Sequence, residues 1–165
     1  MEIKEIIKRL KEDEGFKKWK RGHKNSFLAH VFKMLDDANK GDWQIGFYNE
    51  DDTITTFLLT ENEIKMIKPT QIFKKPGAKI LKIDENRIRI DICKALEIAE
   101  KTQVKEYEGE SPIKIITILQ RLDIGLVYNI TYITQSFKIL NFKIDANNGK
   151  ILKKTLESIV DFKLM

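Results

Sequence analysis

The chain has 165 residues and a mass of 19.3 kDa, with 30 basic and 25 acidic side chains, 42% hydrophobic and 33% charged residues. That length suits one ordinary domain or two very small ones, and the composition excludes wholesale disorder. A single cysteine, Cys93, excludes an internal disulfide framework and a cysteine-based zinc site.

The N-terminal stretch MEIKEIIKRLKEDEG alternates charges with isoleucines, and no apolar run approaches about 18 residues. The reading is therefore of a soluble, cytoplasmic chain with neither signal peptide nor transmembrane helix. Residues 1–25 hold nine Lys/Arg and five Asp/Glu, net +4 of the total +5, so the basicity is local. Lysine and isoleucine each occur 25 times and arginine five times, a bias that fits an AT-rich genome and is compatible with a heat-adapted source.

In chain order, Ile3, Ile6, Ile7 and Leu10 stand at helical spacing and predict an amphipathic helix. It resumes through Phe16 and Trp19 after a break near Gly15. The run SFLAHVFKML (26–35) fits a buried helix or a buried strand. WQIGFYN (43–49), the acidic tip Glu50-Asp51-Asp52 and TITTFLLT (53–60) form a hairpin pattern, followed by a third run, EIKMIK (63–68).

Residues 69–82, with Pro69 and Pro76-Gly77 after Lys74 and Lys75, read as a linker. RIRI (87–90) is strand-like, and Asp91 stands ready to cap the helix ICKALEIAEKTQ (92–103), whose Ile92, Ala95, Leu96 and Ala99 share a face. After KEYEGESP come three apolar runs, 113–122, 126–135 and 137–145. The tail predicts a strand leading into a short helix with Leu156, Ile159, Val160 and Phe162.

Shifting the chain by 85 residues aligns its halves without a gap. Trp43, Ile45 and Phe47 fall on Tyr128, Ile130 and Tyr132, and six of the 26 positions from 43 to 68 are identical. Helix falls on helix, and residues 27–35 fall on 112–120, which favours a strand for the ambiguous run. The expected fold is α+β: two tandem units, 1–75 and 76–165, each a helix followed by an antiparallel β-meander. Such a unit buries one sheet face under its helix and leaves the other needing cover. At about 80 residues its core is marginal, so packed copies or a dimer would help.

The helix ICKALEIAEK, with its Ala-Leu-x-x-Ala core, and the stretch VYNITYITQSFKILNFKIDANNGKIL resemble the PepSY domain family over roughly residues 88–155. The second stretch ends in Asp145-Ala146-Asn147-Asn148-Gly149, where Gly149 supplies a left-handed turn conformation and Asp145 caps turn amides. In the first half, Thr60 and Ile64 stand where the Asp and Gly would be. The resemblance implies a cystatin-like fold, a helix wrapped by an antiparallel sheet. It further implies a module that inhibits or chaperones peptidases or binds partners.

For function, the leading expectation is a non-catalytic binding or regulatory module, not an enzyme, that takes a protein or peptide on a sheet face or edge strand. Trp43, Phe47, Tyr128 and Tyr132 are its candidate partner contacts, lining an interface between units or forming a patch that a partner or homodimer covers. A second expectation is nucleic-acid or anionic-surface binding through Lys17, Lys18, Trp19, Lys20, Arg21 and Lys24, basic residues around aromatics. Its structural counterpart buries Phe16 and Trp19 and leaves the lysines solvated.

A third expectation is a small-ligand or enzymatic pocket between helix and sheet, with His30 or a tyrosine at its wall. His30 shares a strand face with Leu28 and Phe32 and reads as a core histidine, and Cys93 as a packed thiol. The acidic tips Glu50-Asp51-Asp52 and Asp36-Asp37 read as turns rather than cation sites. No motif calls for a cofactor, a metal or a catalytic group.

Overall fold

The computed structural model describes residues 2–36, 41–72, 74 and 76–160. In helix α1 (Ile3–Glu12) all four apolar residues of the helical stripe are buried. Asp13 ends α1 and caps α2 (Glu14–Gly22), its carboxylate accepting the Phe16 N–H at 2.9 Å. The break expected near Gly15 thus falls at Asp13, because a capping carboxylate, not glycine freedom, separates the helices.

Helix α3 (Ile92–Glu106) buries Ile92, Ala95, Ala99 and Gln103. The RIRI run before it is not a strand. It begins in a 3-10 turn (Glu85–Arg87), and the Arg89 and Ile90 N–H groups both donate to Ala146 O rather than to a strand ladder. Asp91 makes no side-chain cap on α3; its carboxylate instead accepts the Ile3 N–H at 3.0 Å, tying the start of α1 to the start of α3.

Eight strands follow the expected runs: β1 (Phe27–Leu35), β2 (Trp43–Tyr48), β3 (Thr53–Leu59), β4 (Ile64–Gln71), β5 (Pro112–Leu122), β6 (Gly125–Thr134), β7 (Lys138–Asp145) and β8 (Ile151–Ser158). Residues 26–35 resolve to a strand, as the internal register favours. β4 runs on through Pro69, into the start of the expected linker. The tail is β8 followed by two helical residues, 159 and 160, while Phe162 lies outside the described residues.

All eight strands join one antiparallel sheet in the order β4-β3-β2-β1-β5-β6-β7-β8. The seam is β1 against β5, paired from His30–Gln120 to Leu35–Ile115. Adding or subtracting 85 carries the pair Phe32–Ile118 onto Thr117–Lys33, its immediate neighbour in the ladder. The same shift carries the β2–β3 register onto that of β6–β7 (Ile45–Phe57 onto Ile130–Phe142), whereas the β3–β4 and β7–β8 registers diverge around different bulges. The strand order is therefore a mirror sequence about the β1–β5 seam.

The helices cover a single face. One cross-strand row, Phe57–Ile45–Val31–Leu119–Tyr128–Ile144, is buried from β3 to β7 and joins the helix side chains in one core. A bulge between Leu28 and His30 shifts β1 by one position. Leu28 and Val31 therefore both enter the core, and His30 turns to the opposite face with Phe32. His30 and Leu28, expected to share a face, do not.

The two hairpin tips close alike. Asp52 N–H donates to Asn49 O and Phe137 N–H to Thr134 O, and both Asp52 (φ 66°) and Phe137 (φ 58°) adopt the left-handed conformation. These positions are related by the 85-residue shift. Behind the second tip, buried Glu110 accepts hydrogen bonds from the hydroxyls of Ser136 and Thr134 and an ion pair from Lys138 at 3.0 Å. The Ser136 hydrogen bond lowers its carboxyl pKa most, burial opposes it, and the hydrogen bonds of Lys138 and Thr134 keep the net below the usual range.

Two predictions follow from the second tip. Phe137→Gly, at an exposed left-handed position, should raise stability by about 1 kcal/mol in urea denaturation. Glu110→Gln should cost roughly 1–3 kcal/mol at neutral pH. Since the folded pKa is depressed, that difference is fully present above the unfolded value, near 4.5. It should shrink as pH falls through the folded value; a pH-independent difference would contradict the assignment.

Candidate functional site

The structure corrects the four aromatic candidates first. Trp43, Phe47, Tyr128 and Tyr132 are 5%, 3%, 0% and 2% exposed and lie beneath the helices. Phe47 packs its ring against Phe16 and Trp19, and Tyr132 packs edge-on to Phe142. The Tyr128 hydroxyl donates to Ile90 O at 2.7 Å. Burial pushes the Tyr128 phenol far up and the Tyr132 phenol up to about 12. They are core residues that fasten helices to the sheet and offer no partner contact.

The basic segment follows its structural counterpart. Trp19 and Phe16 are buried, with Trp19 stacked on His23 at 4.7 Å and edge-on to Phe57, so no ring is free for base stacking. Lys20 Nζ donates to the carbonyls of His23, Lys24 and Ser26, closing the loop after α2. Burial, and then the charge of Lys82, lowers its pKa. Lys17 pairs with Glu14 at 2.9 Å. Lys18, Arg21 and Lys24 remain exposed on the surface.

The remaining candidates also resolve into packing and turns. Asp51 and Asp52 accept from Thr53 and Tyr48, Asp52 also pairs with Lys74, and Asp36 lies 3.8 Å from Lys114. Asp37 and Lys75 lie outside the described residues. No group of metal-ligating side chains gathers among the described residues. Cys93 is exposed on α3 rather than packed, because it stands one residue past the buried Ile92. Five surface clefts of about 420 to 630 Å³ have neither His30 nor a tyrosine in their linings.

The Asp-Ala-x-x-Gly stretch is an anchor. Asp145 Oδ1 accepts the Asn147 and Asn148 N–H groups, and Gly149 takes φ 78° with Ile98 close beside it. Fully buried Ala146 receives the Arg89 and Ile90 N–H groups, so the turn holds the approach to α3.

What remains is the sheet face opposite the helices. The register sets one row across all eight strands there: Lys65, Leu58, Gln44, Phe32, Ile118, Asn129, Lys143 and Lys153. Beside it run Met34, Ile116, Thr131, Asn141 and Thr155. The centre, on β1 and β5, is apolar and half-buried by neighbours in the sheet. Outward on β6 and β7 it becomes amide and hydroxyl, with Asn141 Nδ2 donating to Asn129 Oδ1 and Thr131 Oγ1, and it ends in lysines.

His30 belongs to this face. Its ring stands where a Cβ on Gly46 would be, 2.2 Å away, and burial lowers its pKa. Alternation alone could not find this surface, since it labels both faces of a strand without saying which one the helices cover.

Comparison with known proteins agrees with the fold. Residues 89–155 match the PepSY family, described as the peptidase propeptide and YPEB domain. No curated protein matches the chain. The crystal structure of a "putative lipoprotein" from Clostridium difficile 630 superposes with a TM-score of 0.54 at 16% identity, covering 90% of this chain and 97% of that one. At that identity the likeness is one of fold. The stretch similar to the PepSY family takes in α3, strands β5 to β7, the Asp145–Gly149 anchor and the first part of β8, and the α+β arrangement of the chain is the cystatin-like one of that family.

Proposed function

We propose that the chain is a non-catalytic binding module, built from two PepSY-like units joined at the β1–β5 seam, that holds a protein or peptide partner on its open sheet face. PepSY domains are generally propeptide, inhibitory or binding modules without catalysis of their own, which supports the coarse reading. The observation that carries the finer one is the face itself. Among the described residues the eight-stranded sheet is covered by helices on one side only, and the centre of the other side is Phe32, Met34, Ile116 and Ile118.

A face is favoured over an edge. β4 carries Lys65, Lys68 and Pro69, and β8 carries Lys153 and Lys154, features that discourage strand addition. The second unit supplies α3 and the anchor turn; the first supplies Phe32 and Met34 to the shared surface.

A photo-crosslinking amino acid at position 118, on the open face, should couple a discrete protein in extracts of the source cells. The same group at Lys8 on α1 should not. Ile118→Asp should abolish retention of that protein while the melting temperature stays within about 4 °C of wild type. Equal coupling from both positions, or none from position 118, would contradict the proposal.

A further inference from the structure

Several surface lysines of this chain are neutralised by nearby carboxylates, among them Lys11 by Glu85, Lys17 by Glu14, Lys65 by Glu63, Lys74 by Asp52, Lys138 by Glu110 and Lys154 by Glu106. At the end of the sheet near the β5–β6 hairpin, residues 77–81 cross beside β5, where Leu81 bridges Arg121. A cleft of about 580 Å³ opens between that segment and the sheet. Its lining gathers Lys79, Arg121, Lys143 and Lys153, with Asp123 as the lone carboxylate, and Leu81, Leu122 and Ile124 as its large apolar residues.

None of the four cations has an ion-pair partner among the described residues. Two of them stand directly opposite each other on adjacent strands, Lys143 against Lys153, an arrangement that costs free energy unless an anion lies between or above the pair. Asp145, on the same face, has its Oδ1 committed to the turn amides. Lys143 Nζ is steered by donating to Asn141 Oδ1 at 2.9 Å. Its pKa is lowered by burial first and by Lys153 second, which agrees with a crowded, unneutralised site. The 85-residue shift puts Leu58 and Asp36 at the places of Lys143 and Arg121, so the first half has no counterpart.

We infer that this cleft is the anchor point for an acidic segment of a protein partner, its carboxylates seated among Arg121, Lys143, Lys153 and Lys79 and its stem on Leu81, Leu122 and Ile124. Lys143 and Lys153 end the central row of the open face, so an extended peptide leaving the cleft runs on over Asn129, Ile118 and Phe32. The inference rests on that face being the partner surface, and it supplies the chemistry of the partner: acidic at one end, apolar beyond it. Charge complementarity selects the acidic segment. An arginine between two lysines can take a carboxylate in bidentate geometry, while the lysines act as point charges.

Fluorescence anisotropy with a fluorescein-labelled octaglutamate peptide tests the cleft directly. The wild-type chain should bind it at low salt, with affinity falling as salt rises. The double reversal Arg121→Glu/Lys153→Glu should weaken binding by about tenfold or more. The control Lys8→Glu/Lys94→Glu changes net charge equally on the helix side and should stay within about twofold. Thermal melts of both variants check folding, and Arg121→Gln/Lys153→Gln serves if the reversal fails to fold.

Absence of octaglutamate binding, or equal losses in the two variants, would overturn the inference. So would tighter binding of a labelled oligothymidylate, or of phosphatidylglycerol vesicles, through the same two residues. The cross-linking result at position 118 stands or falls separately, since it reads the apolar centre and not the cleft.

Discussion

The pairing of β1 with β5 is the interaction on which this architecture depends. Each half supplies four strands and a helical cover, and neither meander alone encloses much core. Joining the two first strands antiparallel removes two exposed edges at once. It leaves only β4 and β8 as sheet margins, both guarded by lysines and one by proline. It also makes the buried row from Phe57 to Ile144 continuous, so that α1, α2 and α3 share a single core. Asp91 secures the helical layer across the same divide by accepting the Ile3 N–H.

One-sided covering follows from this arrangement and assigns the roles of many side chains. Trp43 and Phe47 on β2 and Tyr128 and Tyr132 on β6 point under the helices and become fasteners: Phe47 against Phe16 and Trp19, Tyr128 to Ile90. The other face keeps its apolar centre at the seam, where both halves contribute, and becomes polar and then basic toward β8. The same one-sidedness explains the bulge in β1. Skipping one residue lets both Leu28 and Val31 reach the core while His30 crosses to the open side and covers Gly46.

Charge is distributed by a similar logic. The N-terminal helices concentrate positive charge in sequence, yet Lys17 is paired and Lys20 is spent on loop carbonyls. The cleft beside Arg121 is weaker as a sequence signal, since its cations come from positions 79, 121, 143 and 153, yet they line one cleft with Asp123 as its lone carboxylate. Clustering along a chain and clustering in space are different quantities, and only the second sets a local potential.

The sequence by itself determined the elements and their order. Apolar spacing marked α1, α2 and α3. Alternation marked the strands, the 85-residue shift chose strand over helix for residues 27–35, and the Ala-Leu-x-x-Ala and Asp-Ala-x-x-Gly stretches pointed to the PepSY fold of residues 89–155. These signals are local, set by backbone periodicity and turn chemistry, so neighbouring residues suffice to read them. It missed the strand-free approach at Arg87–Ile90, where the Arg89 and Ile90 amides are claimed by Ala146, far along the chain. Tertiary structure alone decided which sheet face the helices cover, and with it the burial of Trp43, Phe47, Tyr128 and Tyr132 and the exposure of the Phe32–Ile118 row. It also decided which cations lie together without partners. Those properties depend on pairings between residues far apart in the chain, and a period of two along a strand is the same whichever face is turned inward.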